Sequence, residues 1–203
     1  MRNVTFALAC LLSLAGCQWG KSPETAGYQT VAADPHRDTA AAQKLNAEAV
    51  KLIQDHHIDD AEKRLKAALA ADLFFGPAHN NLGLVYFHQK KHYLAAWEFQ
   101  YAAKLMPGKA EPRNNLGLVF EAVGKLDEAM ESYEKALALE PESVDVAANL
   151  ARAYVRKGRK DDKTRKLLGD VVMKDNRPDW IAWAREQLAL MGTPPPTTQP
   201  TGE

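Results

Sequence analysis

A 34-residue period in the middle of this chain of 203 residues limits the folds that it can adopt. Leucines, small residues and aromatic residues each return at this step, always in the same order. The members are Leu82, Leu116 and Leu150; Gly83, Gly117 and Ala151; Tyr86, Phe120 and Tyr154; Ala61, Ala95 and Ala129; Leu65, Phe99 and Tyr133; Ala68, Ala102 and Ala136. A fixed period of this length is typical of repeat proteins, whose units bury their apolar faces against their neighbours.

The order of residue types within one period predicts two helices. In residues 76–109 the first series falls at i, i+1 and i+4, and the second falls at i, i+4 and i+7, which are the spacings of a helix face. Pro107, and Pro141 in the next copy, cannot continue a helix and end the second one. Gly124 and Gly158 fall in the turn between the two helices, where glycine favours the C-terminal cap.

These residues resemble the tetratricopeptide repeat, a helix-turn-helix unit with Leu-Gly, an aromatic residue, Ala, an aromatic residue, Ala and Pro at its signature positions. Copies begin near Ala42, Gly76, Ala110 and Val144. The resemblance implies an all-α, right-handed solenoid of about four units over residues 42–191. It also implies that the chain binds other proteins and is not an enzyme.

The fourth copy departs from the pattern in its second helix. Without an insertion, Lys163 and Asp170 fall on positions that hold small residues in the other copies. A one-residue insertion instead brings Thr164, Leu168 and Val171 onto the packing face. We therefore predict that the second helix of this unit is shifted by one residue.

A further amphipathic segment, Pro178 to Met191, follows the last copy. The terminal unit of a repeat array must cover an apolar face that has no further neighbour. The segment is therefore predicted to be a capping helix, and its two tryptophans, Trp180 and Trp183, are expected to be buried within the cap.

The N-terminus has the features of a secretory signal peptide, predicted over residues 1–16. A short positive start is followed by an apolar run from Val4 to Ala15, which is shorter than the roughly 20 residues that cross a bilayer. The tetrapeptide Leu14-Ala15-Gly16-Cys17 resembles the bacterial lipobox. This resemblance implies cleavage before Cys17, diacylglycerol on its sulfur and acylation of its new amino group.

Such a lipid would hold the mature chain on a membrane, since several acyl chains give stable attachment. Residues 17–41 then form the lipidated cysteine and a flexible tether, and residues 192–203 form a disordered tail rich in Pro and Thr. Gln18 follows the cysteine where an Asp would favour inner-membrane retention. The predicted location is therefore the cell envelope, at the outer membrane and facing the periplasm.

Charge and cysteine content argue against several classes of function. Lys and Arg total 26, as do Asp and Glu; the absence of a basic excess argues against a nucleic-acid partner. Cys10 is lost with the signal peptide and Cys17 is lipidated, so no cysteine remains for a disulfide, a metal site or catalysis. The pair His88 and His92 has a possible metal-ligand spacing, but the repeat register places it across an interhelical turn. No catalytic, cofactor or metal site is predicted.

Stacked helix pairs form a superhelix with a concave groove lined by the first helices. In the family that these residues resemble, the residue before each signature leucine points toward this groove. An asparagine precedes each signature leucine, and its amide offers both a donor and an acceptor to an extended peptide. The same region has a partial second row of asparagines, three apolar side chains and an arginine. Glu111 and Glu121 also lie there and argue against the clamp for a C-terminal carboxylate that some relatives have. The candidates are Asn81, Asn115, Asn149, Asn80, Asn114, Leu84, Phe87, Leu118 and Arg152. The alternative is that asparagine is merely the usual residue of the family at this position.

A second candidate surface is an aromatic stripe on the second helix of one copy. Tyr93, Trp97 and Tyr101 are spaced at i, i+4 and i+8, at positions that face solvent in an ordinary repeat. Exposed aromatic residues of this kind usually mark contact sites. The stripe is predicted to bind a partner or a second copy of the chain, or to be covered by the tether or tail.

Two functions follow from these patterns. The first is a non-enzymatic scaffold, held in the envelope by its lipid and binding partner proteins or peptides. Lipoproteins of this build resemble assembly factors for pili or secretion systems and adaptors for peptidoglycan enzymes, a resemblance that implies a role in the assembly of an envelope complex. The second is a structural subunit that self-associates through the aromatic stripe.

Overall fold

The computed structural model describes residues 37–192, which form nine α-helices and no strand within that range. The helices are α1 (Thr39–Gln54), α2 (Ile58–Ala71), α3 (Gly76–His88), α4 (His92–Leu105), α5 (Glu111–Ala122), α6 (Leu126–Leu139), α7 (Val144–Arg156), α8 (Asp162–Lys174) and α9 (Pro178–Met191). Across these residues, no helix combines the length and apolar character needed to cross a membrane. The predicted signal peptide, Cys17, most of the predicted tether and residues 193–203 lie outside the described part.

The helices pair as the 34-residue period predicts, α1 with α2, α3 with α4, α5 with α6, and α7 with α8. Signature residues form the interior: Leu65, Phe99, Tyr133 and Leu150 are almost fully buried. Burying such side chains contributes about 1.5–3 kcal/mol each, which is the main stabilisation available to a short helix. The all-α solenoid is confirmed.

The array begins earlier than the sequence indicated. The predicted tether extends to Ala41, but α1 begins at Thr39, and Asp38 caps it by accepting a hydrogen bond of 2.8 Å from the backbone N–H of Ala41. Arg37 and Thr39 donate to the buried carboxylate of Asp72 in the loop after α2. The last residues of the predicted tether are therefore tied to the first unit.

The turn inside each unit has one residue in the left-handed region of backbone conformation. Gly124 and Gly158 both have φ of 79°, as expected for glycine caps. His56 and Lys90 occupy the same positions in the first two units, with φ of 61°. A side chain in this region is strained, so these two units adopt the repeat turn at an energetic cost that the later units avoid.

The fourth unit confirms the predicted insertion. Thr164, Leu168 and Val171 have no exposed surface and form the buried face of α8. The side chain of Asp161 accepts from the backbone N–H of Thr164 at 2.8 Å and caps this helix. The shift therefore restores both the apolar face and the helix start.

Helix α9 packs against α8 at the end of the array, as predicted for a capping helix. Ala184 is buried there, whereas Trp180 and Trp183 are only half-buried. Both rings pack against the C-terminal core, so the expectation that the two tryptophans are buried in the cap is confirmed only in part. Helix α9 presents part of both rings to a surface cavity next to α7.

The first helices of successive units contact one another directly, α1 with α3, α3 with α5, and α5 with α7. The second helices α2, α4, α6 and α8 flank them. The first helices therefore lie on the inner side of the solenoid, and their exposed surface is called the groove below.

Candidate protein-binding groove

Asparagines of neighbouring first helices bond to one another along the groove. The amide nitrogen of Asn81 donates to Oδ1 of Asn46 at 2.8 Å. The same contact recurs one unit later, from Asn115 to Asn80 at 3.1 Å, and once more in the unit after that. The last pair is Asn149 and Asn114, at 3.0 Å. The two asparagine rows are therefore one ladder that joins consecutive units.

This ladder constrains how the amides can meet a partner. Asn80 and Asn115 are more than nine-tenths buried, and Asn80 also donates to Glu111 at 2.9 Å. Asn81, Asn114 and Asn149 are half-buried, and their side-chain amides keep hydrogen-bonding capacity for a partner at the surface. Asn46 was not among the predicted groove residues, although its position one period before Asn80 would have identified it.

Glu121 of α5 is the most strongly bonded carboxylate of the groove. Its Oε1 accepts from Nε of Arg152 and from Nη1 of Arg156, each at 2.8 Å. Its Oε2 accepts from Nη2 of Arg152 and from the hydroxyl of Tyr133, each at 2.9 Å. Glu121 is 7% exposed, so helices α5, α6 and α7 meet at one buried carboxylate.

The pKa values of this cluster show how it is charged. Burial opposes ionisation of Glu121, but the hydrogen bonds from Arg152 and Arg156 outweigh it and lower the pKa to about 2. Burial, together with the adjacent Glu121 carboxylate, raises the pKa of Tyr133 well above its usual value. At neutral pH Glu121 is therefore ionised and Tyr133 is a neutral donor.

The two arginines line a cavity of about 250 Å³ on the groove. Their side chains are 30% and 48% exposed, so both guanidinium groups reach solvent. The rest of the wall is largely apolar. The lining residues are Phe87, Leu118, Glu121, Ala122, Arg152 and Arg156. The structure thus brings the predicted residues Phe87, Leu118 and Arg152 together, while Leu84 packs against the N-terminal core.

A second cavity, of about 200 Å³, lies on the other side of Arg152. Its other lining residues are Asp179, Trp180 and Trp183, and the two indoles pack edge to face with ring centroids 5.5 Å apart. The guanidinium of Arg152 lies 5.0 Å from the centroid of Trp180, within the range of a cation–π contact. Arg152 therefore separates two largely apolar cavities.

The aromatic stripe on α4 is exposed at two of its three positions. Tyr93 is 82% exposed and Trp97 is 61% exposed. Tyr101 is half-buried because its ring packs edge-on against His79, with centroids 4.6 Å apart. His79 is itself fixed by Glu98 at 2.6 Å and by the carbonyl of Leu73 at 2.9 Å. The stripe is therefore shorter than the sequence indicated.

The predicted turn position of the histidine pair is confirmed. His88 ends α3 and His92 begins α4, where its ring packs against Phe87 with centroids 5.7 Å apart. Within residues 37–192, no cluster of three His, Cys, Asp or Glu side chains has the geometry to hold a metal ion.

Comparison with known proteins identifies the repeat family. Two sequence profiles of the tetratricopeptide repeat match residues 46–110 and 121–182. Together they span most of the helical array described above. The chain is therefore a tetratricopeptide repeat protein. A search of curated proteins found no match.

Solved structures share this fold. PilF of Pseudomonas aeruginosa is 23% identical, with a TM-score of 0.64 over 76% of this chain and 75% of that chain. YrrB, described as having an unusual peptide-binding site, is 21% identical, with a TM-score of 0.60 over 73% and 76%. The first repeat domain of Spaghetti (RPAP3), bound to an HSP90 peptide, is 24% identical, with a TM-score of 0.59 over 61% and 98%.

Proposed function

We propose that this chain is a non-enzymatic scaffold of the bacterial cell envelope, anchored by a lipid on Cys17 and binding partner proteins through the groove. The observation that carries the binding role is a groove cavity lined by two solvent-reaching arginines, one of which, Arg152, also borders the apolar cavity against α9. Repeat arrays of this kind commonly use an extended concave surface to bind partners. A role in pilus, secretion or envelope-complex assembly agrees with the resemblance to PilF, which supports the fold and leaves the pathway a proposal.

Packing fixes the groove before any partner arrives. The asparagine ladder joins neighbouring units, and Glu121 holds Arg152 and Arg156 in place from α5. The groove therefore loses little conformational freedom when a partner binds, which improves affinity at a given contact area. This rigidity suits a scaffold that positions proteins.

Replacement of Cys17 by serine tests the anchor. Serine has no thiol to accept diacylglycerol, so we expect the Cys17→Ser protein to leave the membrane fraction and to lack the lipid mass on its N-terminal peptide. Membrane flotation and mass spectrometry measure these two results. A serine variant of Cys10, which lies within the signal peptide, is the matched control and should remain anchored. Unchanged flotation of the Cys17 variant would remove the lipid anchor from the proposal.

A second function is favoured by the exposure of Tyr93 and Trp97. Two large aromatic rings on one solvent-facing helix surface form an apolar patch of the kind that mediates contacts. Self-association through this patch would make the chain a structural subunit of an envelope complex. The same patch could not then serve a different partner.

Photo-crosslinking in living cells separates the two functions. A photo-reactive amino acid is placed singly at Leu118 in the groove and at Trp97 on α4. The scaffold predicts a crosslinked product with a different protein from position 118. Self-association instead predicts a product of twice the mass of this chain from position 97.

Met173 provides the control position, because it is 82% exposed on the second helix α8 and belongs to neither surface. We expect no discrete product from it. Products of equal yield from all three positions would indicate non-specific contacts. A silent position 118 would count against the groove as the binding surface.

A further inference from the structure

We infer that the groove recognises an internal acidic residue of an extended peptide, flanked on both sides by apolar side chains, and that Arg152, Arg156, Trp180 and Trp183 select it. This inference rests on the proposed function, since it names the chemistry of the partner that the groove would bind.

Glu121 positions the two arginines but uses only some of their N–H donors and balances only one of their two charges. Each of its oxygens already accepts two hydrogen bonds, so the carboxylate has little capacity for more. A guanidinium has five N–H donors, and among the described residues Arg156 donates one hydrogen bond, to Glu121. The two cations share one buried anion. The cavity therefore has one unbalanced positive charge and free donors that match a carboxylate.

The apolar walls on either side distinguish an internal residue from a chain end. Phe87 and Leu118 lie on one side of Arg152, and Trp180 and Trp183 lie on the other. A peptide whose carboxyl terminus sat on the arginines would leave one of these cavities empty. A chain that continues past the arginines fills both cavities and buries more apolar surface.

The tryptophan cavity offers the surfaces of two indoles to an apolar side chain of the peptide. The indole of Trp180 already has Arg152 and Arg177 within 5.0 Å of its ring centroid. Asp179 lies at the cavity, where a backbone N–H of the peptide could donate to its carboxylate.

Binding of fluorescein-labelled peptides to the full-length protein in detergent tests the inference. The probes come from an array of nonapeptides blocked at both ends, with Glu at the centre and Leu, Ile, Phe, Tyr or Trp varied beside it. Fluorescence anisotropy then compares the strongest binder with its Gln version. We expect Gln to weaken binding about tenfold or more, because a charge-assisted hydrogen bond is lost.

Variants of the protein assign this effect to the groove. Arg156→Gln should remove most of the difference between the Glu and Gln peptides. Trp183→Ala should weaken both peptides by a similar factor. Lys135→Gln, on the second helix α6 and 61% exposed, is the matched charge control and should change neither.

Three results would overturn the inference: no array peptide binds, the Glu and Gln peptides bind alike, or an unblocked peptide that ends at the Glu binds more tightly than the blocked nonapeptide. The crosslink from Leu118 tells this failure from that of the proposed function. A partner captured at Leu118 together with any of these three results rejects the acidic motif alone, whereas a silent Leu118 rejects the groove as well.

Discussion

Replacing Gly117 with alanine is expected to destabilise the array by about 2 kcal/mol. A Cβ built on Gly117 would lie 2.6 Å from Cδ1 of Tyr133, well inside van der Waals contact. The ring cannot move aside freely, because it is fully buried and its hydroxyl donates to Glu121 at 2.9 Å. Alanine favours a helix over glycine by about 1 kcal/mol, and the steric cost exceeds this gain. Urea unfolding of both proteins measures the difference.

Gly169→Ala is the matched control for this prediction. Gly169 lies within α8, and a Cβ there would meet no atom within 4 Å. The helix-propensity gain then acts alone, so this variant is expected to be more stable than the original chain by about 0.5–1 kcal/mol. If the two alanine variants shift stability in the same direction, close packing at Gly117 is not the reason for glycine there.

The close contact at Gly117 also shows why the fold could be predicted from the sequence. Signature positions are repeated, and each repeat reports the same local requirement, such as glycine beneath an aromatic ring at Gly83 with Phe99 and at Gly117 with Tyr133. Even the irregular fourth unit followed the rule, because the apolar face around Leu168 could be restored by a single shift. Periodicity fixes features that depend on local packing.

The candidate groove depends on residues that break the period. Glu121 and Arg152 occupy positions where the preceding copies have Phe87 and Leu118. These two changes from an apolar to a charged residue were a signal in the sequence that Glu121 and Arg152 could form a pair. Their contact spans 31 residues and depends on the spacing between units, which the pattern does not specify. Trp180 lies in α9, which begins one period after α7 but has Ala184 and Leu188 at the positions of the signature leucine and aromatic residue. The repeat pattern therefore did not indicate the half-buried position of Trp180.

Removing the charge of Glu121 is expected to have the largest effect on stability at neutral pH. The pKa of this carboxyl is lowered from 4.5 to about 2 in the folded state, and each pKa unit is worth 1.36 kcal/mol. The paired carboxylate therefore contributes about 3 kcal/mol, and we expect Glu121→Gln to destabilise the array by this amount at pH 7. The remaining arginines would then share a neutral amide in a buried position.

The effect should disappear in acid. The folded-state pKa lies below the unfolded-state value, so the stabilisation is fully present above about pH 4.5 and is lost as the pH falls towards 2. The difference in free energy of unfolding between the original chain and Glu121→Gln should thus shrink from about 3 kcal/mol at pH 7 to near zero at pH 2. Taking the difference cancels the titration of other carboxyls.

Glu131→Gln serves as the control for this pH profile. Glu131 pairs with Lys135 at 2.6 Å, but both side chains are more than half exposed, and exposed ion pairs contribute little to stability. Its variant should therefore match the original chain at every pH. A difference for Glu121→Gln that stayed constant from pH 7 to pH 2 would mean that the variant loses packing rather than charge. The arginines would then not depend on an ionised Glu121 for their position on the groove.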